Sequence, residues 1–270
     1  MKTRILIFAL CLAAPLLRAP ASTRTLDADT RLVLPADAPT PVKLAAVDLA
    51  RDFRKVFGHL PLTLTSEPLP PQDHVTIVVH PGSAGGLSPE TYRIGWRDND
   101  PTTGLLDLHG ADPRGTIYGL YAISRHLLGI DPWWYWTDFE PPARERIEIP
   151  DDFTLSCPPP AFRYRGFFIN DEDLLARWRP DPAGQTAISL EVWDRIYETL
   201  LRLGGNLVAP GTFPFPDEPQ FALAVRRGLV LNQHHQTPLG FVGFRWPRGQ
   251  LYSPTKDMDT LRRVWAHCVA

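Results

Sequence analysis

The sequence predicts an α/β protein in two parts, a small α+β accessory domain followed by the first βα units of a TIM-type (β/α)8 barrel. Residues 25–150 mix short alternating strands with two amphipathic helical patterns. From residue 160 onward strands and helices alternate, which is typical of parallel sheets and barrels. Residues 164 to 270 provide 107 positions, whereas a complete barrel needs roughly 250. We therefore expect a truncated barrel.

Composition sets the class of protein. The chain has 270 residues, a formal net charge of −2 and 44% hydrophobic residues. This is enough apolar material for two modest cores, and it argues against a disordered or nucleic-acid-binding protein. The 29 prolines fall mostly in connections, which favours a loop-rich extracytoplasmic protein.

The first 21 residues have the pattern of a signal peptide. Lys2 and Arg4 precede an apolar stretch at 5–17, and Ala19-Pro20-Ala21 resembles a cleavage site. The stretch is too short for a membrane span. We expect cleavage after Ala21, a secreted or periplasmic product and no membrane association afterwards.

Cysteines and the last residues carry two further expectations. Cys11 lacks the small residues of a lipoprotein signal, and Cys157 and Cys268 are too far apart to indicate a disulfide framework or a metal site. The sequence stops at Val269-Ala270, within a predicted helix that has no capping signal. Together with the short barrel, this predicts an N-terminal fragment.

The elements of both parts follow from hydrophobic spacing and from glycine and proline stops. Between the parts, Trp133-Trp134-Tyr135-Trp136 could form a sugar platform, but such a run more often packs one domain against the next. Pro158-Pro159-Pro160 ends a stiff interdomain linker. Strands are predicted at 32–34, 74–80, 92–96, 104–109, 164–170, 206–210 and 228–232, and helices at 41–57, 114–128, 189–203, 219–227 and 258–267.

An acidic cluster follows the first predicted barrel strand. Residues 163–173 read RYRGFFINDED, in which an aromatic strand runs into four polar residues. Barrel enzymes present catalytic groups at the carboxyl ends of their strands, and paired acids there suit glycoside hydrolysis. The alternative is an ordinary helix start, because Asn and Asp cap helices and acids favour the first turn.

Four motifs together resemble glycoside hydrolase family 115, the xylan α-glucuronidases. They are GADPRGTIYGLY at 110–121, PWWYW at 132–136 with Asp138 soon after, RGFFINDED at 165–173, and His234-His235 after the third barrel strand. The first motif is also similar to the accessory domain of bacterial β-hexosaminidases. The chain departs from the family pattern after the histidine pair, where Gln236-Thr237-Pro238 stands in place of the expected His-Glu-Pro.

The resemblance implies an accessory domain at 25–150 and the start of the catalytic barrel at 160–270. It implies a secreted hydrolase that releases (4-O-methyl)glucuronic acid from xylan side chains. We expect an oligosaccharide or polysaccharide as partner, no nucleic acid, no metal and no cofactor, and a homodimer for the full-length form. The alternatives are a hexosaminidase-like glycosidase and a non-catalytic carbohydrate-binding remnant.

The predicted site residues cluster at strand ends. Asp171 and Glu172 are the catalytic candidates, although Asp171, Glu172 and Asp173 cannot all face inward. Adjacent histidines point in different directions and suit a sugar carboxylate or hydroxyl better than a metal. Arg165 begins the first barrel strand and is interpreted as structural, whereas Asn206 opens the second strand, at its far end, and is not a site candidate. The substrate-binding candidates are Asn170, His234, His235 and Arg245.

Overall fold

The computed structural model describes most of the chain between residues 24 and 269. The described ranges are 24–59, 62–65, 74–82, 85–170, 172–184, 186–211, 218–232, 249, 251 and 253–269. The predicted signal peptide at 1–21 therefore lies outside the described residues. None of the helices in the described ranges is long and apolar enough to cross a membrane.

A six-stranded mixed sheet forms the first layer. Its strands are β2 (Arg31–Leu34), β3 (Leu62–Leu64), β4 (Thr76–His80), β5 (Tyr92–Trp96), β6 (Leu105–Gly110) and β8 (Thr154–Ser156). The order is β3-β2-β4-β6-β5-β8, and only β5 runs opposite to the other five strands: three of the pairings are parallel, and the two that β5 makes are antiparallel. The predicted pairing of residues 92–96 with 104–109 is confirmed as the antiparallel pair β5-β6.

Two antiparallel strands, β1 (Arg24–Asp27) and β7 (Arg146–Ile149), form a separate ribbon that joins the start of the described chain to the end of the first part. Leu26 and Ile149 from this ribbon are fully buried. The ribbon therefore belongs to the same core as the six-stranded sheet, whose buried residues include both side chains.

Helices α1 (Thr40–Phe57) and α2 (Pro113–His126) pack together over one face of the sheet. Gly58 ends α1 in the left-handed conformation at φ 83°, as the sequence predicts. Asp112 caps α2, because its side chain accepts a 2.8 Å hydrogen bond from the backbone N–H of Gly115. Both helices are where the apolar spacing predicted them.

A three-stranded parallel sheet with its helices makes up the second part. The elements are β9 (Gly166–Phe168), α3 (Glu172–Trp178), α4 (Leu190–Arg202), β10 (Leu207–Ala209), α5 (Pro219–Arg226), β11 (Val230–Leu231) and α6 (Met258–Val269). The strands lie in the order β11-β10-β9. Short strands alternate with helices, which confirms the predicted βα pattern.

The two parts share one hydrophobic core. Helix α4 packs against α2, and buried residues of the first part lie in the same apolar cluster as Trp193, Ile196 and Tyr197 of α4. Since burial of apolar surface is the main stabilising term in folding, the second part is held by the first along its helical side.

Some elements differ from the sequence prediction. The strand predicted at 164–170 is only three residues long, because the backbone N–H of Arg165 donates to the Asn206 side chain rather than to a neighbouring strand (2.9 Å). Strands β1, β3, β7 and β8 and helix α3 were not predicted. They are three to seven residues long, which is too short for a clear periodic signal.

Candidate active site

The carboxyl ends of β9, β10 and β11 meet at one edge of the parallel sheet. The register pairs Phe168 with Ala209 and Val208 with Leu231. The backbone N–H of Ile169 continues the ladder to the carbonyl of Ala209 (3.0 Å). Ligands of parallel sheets bind beyond this edge, so it is the candidate active site of the protein.

The two faces of this sheet differ in burial. Val208 is completely buried toward the helices, whereas Phe168 is 41% exposed. Because side chains alternate along a strand, Phe168 and its register partner Ala209, which is 4% exposed, lie on the face opposite to that of Val208.

Two exposed asparagines follow the strands at this edge. Asn170 comes two residues after β9, and Asn232 comes directly after β11, where its backbone N–H donates to the carbonyl of Val208 (2.9 Å). Asn170 is a predicted site residue, and the structure places it at the predicted edge. The sequence predicts Asn232 only as the end of a strand, although it carries the same signal as Asn170, a polar residue after an apolar strand.

The side chains of the other five predicted site residues lie outside the described part of the chain. Asp171, His234, His235 and Arg245 lie outside the described residues. Glu172 is the first residue of α3, and its side chain is also outside the described part of the chain. The roles assigned to these five residues stay predictions.

The aromatic run packs against the second part, as the sequence favoured. The indole N–H of Trp134 donates to Glu198 (3.3 Å), and that of Trp136 donates to Thr199 (2.8 Å), both on α4. Trp133 stacks on Phe167 with ring centroids 6.1 Å apart. An apolar cavity of about 410 Å³ lies here beside β9, lined also by residues including Ile169, Leu175 and Ile196.

Glu90 fixes the opposite ends of β9 and β10 to the first part. Its carboxylate accepts hydrogen bonds from Arg165 (2.6 Å), Arg114 (2.7 Å) and the Asn206 amide (2.9 Å). Burial raises the pKa of the Glu90 carboxyl, but these three hydrogen bonds together hold it below its ordinary value. Arg165 is therefore structural, as the sequence indicated, and Asn206 has the same role.

The backbone of Glu90 has an unusual conformation for a residue with a side chain. Its φ is 61°, in the left-handed region. The backbone N–H of Glu90 donates to the carboxylate of Asp112 (2.8 Å), which also caps α2. Glu90 is held in this strained conformation by Asp112 through its backbone and by Arg165 and Asn206 through its side chain. These contacts position the parallel sheet that carries the candidate edge.

A buried ionic network joins α1 to α4. Arg202 of α4 is 2% exposed in its side chain and donates to Asp52 (2.5 Å), Glu198 (2.8 Å) and Ser124 (2.9 Å). Burial raises the pKa of Glu198, but the guanidinium groups of Arg202, Arg51 and Arg195 lower it more, to about 2. The Glu198 carboxylate is thus ionised and paired with these guanidinium groups.

A second branch of the network reaches the end of α5. Arg227 donates to Asp48 of α1, and it donates twice to Asp194 of α4, at 2.7 and 2.6 Å. The hydroxyl of Tyr121 donates to Asp48 as well (2.8 Å). Charged hydrogen bonds with fixed geometry specify one relative position of three helices, which apolar contacts alone do less strictly.

The motif at 110–121 has a structural explanation in these contacts. Asp112 is the helix cap, Arg114 binds Glu90, Tyr118 donates to the carbonyl of Gly205 (2.9 Å) and Tyr121 binds Asp48. A Cβ on Gly115 would lie 2.1 Å from the carbonyl oxygen of Thr91, so no larger residue fits. The motif docks the first part on the second rather than forming a catalytic site.

The fold and this edge define an α/β protein that offers polar groups at the carboxyl ends of parallel strands. Residues 158–270 match the family model described as Glycosyl hydrolase family 115. The resemblance inferred from the four motifs is thereby confirmed for this segment. No curated protein matches the sequence.

Solved structures give the same result at the level of the fold. A family GH115 4-O-methyl-α-glucuronidase, BtGH115A, described as specific for decorated arabinogalactans, is 22% identical with a TM-score of 0.73. The match covers 91% of this chain but 34% of that protein. This chain therefore spans about a third of the length of that relative.

Hexosaminidases of family 20 are more distant. The β-hexosaminidase of Streptomyces plicatus is 12% identical and has a TM-score of 0.45, with 78% of this chain and 42% of that one covered. The chitobiase of Flavobacterium johnsoniae is 14% identical with a TM-score of 0.47, covering 78% and 32%. These scores are too low to support an argument about function.

Proposed function

We propose that this protein is the N-terminal part of a secreted glycoside hydrolase of the α-glucuronidase type, which removes (4-O-methyl)glucuronic acid from the side chains of xylan. The observation that carries the proposal is the match of residues 158–270 to glycosyl hydrolase family 115, on a segment folded as a parallel sheet with polar residues at its carboxyl edge.

The three-stranded sheet is, in this proposal, the opening of a (β/α)8 barrel. Its strands are all parallel and alternate with helices, as in the first units of such a barrel. The exposed face around Phe168 would become the barrel interior. The relative of known structure is about three times as long as the segment matched here, which supports a catalytic domain larger than these residues.

The proposed chemistry uses carboxyl groups at the strand ends. A neutral carboxylic acid protonates the leaving oxygen, while a carboxylate activates water or attacks the sugar directly. We assign this work to Asp171 and Glu172, together with acids contributed by the rest of the barrel. Sugar contacts are assigned to Asn170, His234, His235 and Arg245, and the position of Asn232 adds a second amide at the same edge.

The proposal is tested with the protein expressed from its full reading frame. Glucuronoxylan, a glucuronidated arabinogalactan and an aryl N-acetyl-β-glucosaminide are incubated separately, and released sugars are separated by anion-exchange chromatography. We expect an acidic monosaccharide from glucuronoxylan and no N-acetylglucosamine. Release from the arabinogalactan alone would replace xylan as substrate, and hydrolysis of the glucosaminide alone would contradict the proposed class.

Export is proposed on the sequence of residues 1–21. The intact mass of the protein recovered from periplasm or medium should correspond to a chain that begins at Ser22. A product confined to the cytoplasm that still carries Met1 would exclude it.

A further inference from the structure

Two histidines and one aspartate lie together on the six-stranded sheet, remote in sequence from the candidate active site. His80 on β4 and His109 on β6 are register partners of neighbouring parallel strands. Asp107 comes two residues before His109 on the same strand, so its side chain points to the same face. That face lies opposite α1 and α2, since Leu106 and Leu108 are fully buried in the core on the other side.

The three side chains are in mutual contact range. One nitrogen or oxygen from each lies within 4.8 Å of the others, and His80 Nε2 is 2.9 Å from Asp107 Oδ1. The two imidazole rings stack with centroids 4.4 Å apart and an interplanar angle of 11°, so at least one ring must turn about its side-chain bonds before both can direct a nitrogen at the same ion. Ligand atoms bound to zinc at about 2.1 Å in a tetrahedral site are roughly 3.4 Å apart. This separation lies between the 2.9 Å from His80 Nε2 to Asp107 Oδ1 and the 4.8 Å that bounds all three ligand atoms.

We propose that His80, Asp107 and His109 form a binding site for a divalent first-row transition ion, zinc in particular. Two imidazoles and one carboxylate are a donor set that such ions prefer, whereas magnesium and calcium favour oxygen ligands alone. The three residues extend from two hydrogen-bonded strands, so their backbones are held without the ion.

Arg97 is the supporting group of this site. Its guanidinium binds both oxygens of Asp107, at 2.8 Å from Oδ1 and 3.0 Å from Oδ2, and so fixes the orientation of the carboxylate. Hydrogen bonds of this kind around metal ligands are common and orient them. The positive charge of Arg97 also repels a cation, which makes the site weaker than a structural zinc site.

Space for the fourth ligand is present beside the cluster. A cavity of about 940 Å³ lies over this face of the sheet and is lined by Asp107 and His109, together with residues such as Trp96, Arg97 and Asp151. Three protein ligands with an open position are the arrangement that leaves a coordination site for water or a small ligand. The proposal does not depend on the glycosidase function.

The test is zinc titration of the chelator-treated chain by calorimetry, with cobalt as a spectroscopic probe of tetrahedral coordination. We expect one zinc per chain, and more than about tenfold weaker binding in each of H80Q and H109Q. The matched control is H126Q, which changes an exposed histidine at the end of α2 and should leave zinc binding unchanged. Circular dichroism shows whether each variant is folded.

A second measurement separates this site from the histidine pair at 234 and 235. Zinc should raise the melting temperature of the wild type and of the H234Q/H235Q variant, but not that of H80Q/H109Q, because an ion stabilises a protein only through a site in the folded state. Absence of zinc binding in the wild type would overturn the proposal. Binding that survives in H80Q/H109Q and is lost in H234Q/H235Q would overturn it equally.

Discussion

Arg165 donates a 2.6 Å hydrogen bond to Glu90, which lies 75 positions earlier in the sequence. The same guanidinium donates to the carbonyls of Gly204 (2.8 Å) and Phe162 (2.7 Å). One side chain thus ties together the start of β9, the turn before β10 and the first part of the protein. The carboxyl edge of the parallel sheet is positioned from its opposite end.

Removing this guanidinium should destabilise the protein. Arg165→Gln leaves Glu90 without its closest charged partner, and hydrogen bonds to charged groups contribute about 1.5 to 3 kcal/mol each. We expect a loss of about 2 kcal/mol in the free energy of unfolding, measured with urea. Arg163→Gln is the control, because the Arg163 side chain is exposed and should be neutral. Equal stability of the two variants would refute the role of Arg165.

The hydrogen bonds that Glu90 accepts from Arg165, Arg114 and Asn206 should also make the stability of the protein depend on pH. The pKa of Glu90 in the folded protein is below the ordinary value of 4.5, so its ionised form is favoured by folding. The stabilisation is complete above about pH 4.5 and is lost as the pH falls through the folded-state pKa. The free energy of unfolding, measured with urea between pH 6 and pH 3, should therefore fall more steeply toward low pH in the wild type than in Glu90→Gln. Parallel curves for the two proteins would exclude this contribution.

The buried network should be far more sensitive to mutation than an ion pair on the surface. Arg202 and Arg262 both pair with carboxylates, but their side chains are 2% and 71% exposed. Arg202→Ala leaves Asp52 and Glu198 buried with one partner fewer, which should cost about 3 to 5 kcal/mol. Arg262→Ala should change stability by less than about 0.5 kcal/mol. A similar loss of unfolding free energy in Arg202→Ala and Arg262→Ala would show that burial does not make the network more sensitive than a surface ion pair.

Gly166 should not tolerate a side chain. A Cβ at this position would lie 1.9 Å from the carbonyl oxygen of Leu207, because β9 and β10 approach closely there. Gly166→Ala must separate the two strands and should cost about 2 to 3 kcal/mol, measured by urea unfolding. Gly85→Ala is the matched control, since a Cβ at Gly85 would have no atom within 4 Å. A variant Gly166→Ala as stable as the control would mean that the strands adjust freely.

The sequence predicted the long elements and the parallel βα pattern well. Helices α1, α2 and α4 bury a regular apolar stripe, and each ends close to the predicted residue. The docking contacts could not be predicted in the same way. Asp52 and Arg202 are 150 positions apart, and no local pattern pairs two charged residues over that distance.

The candidate edge was predicted because its signal is local. An apolar strand followed by a polar residue is visible in the sequence, and the structure brings Asn170 and Asn232 to the same edge. The cluster on the six-stranded sheet was missed for the opposite reason. His80 and His109 belong to separate strands, and only the register of β4 with β6 makes them neighbours.

Asp171 should affect activity and leave stability unchanged. If it holds a sugar hydroxyl or a reacting water, Asp171→Asn should lower kcat/KM by roughly 10²-fold or more in the protein from the full reading frame. If it only caps the helix that begins at Glu172, Asn will replace it without effect, since Asn and Asp cap equally well. Asp171→Ala distinguishes the two roles further, because loss of a cap costs about 1 kcal/mol of stability, whereas loss of a substrate contact does not. Turnover of glucuronoxylan and the melting temperature are measured for both variants. Unchanged turnover in Asp171→Asn would remove Asp171 from the active site.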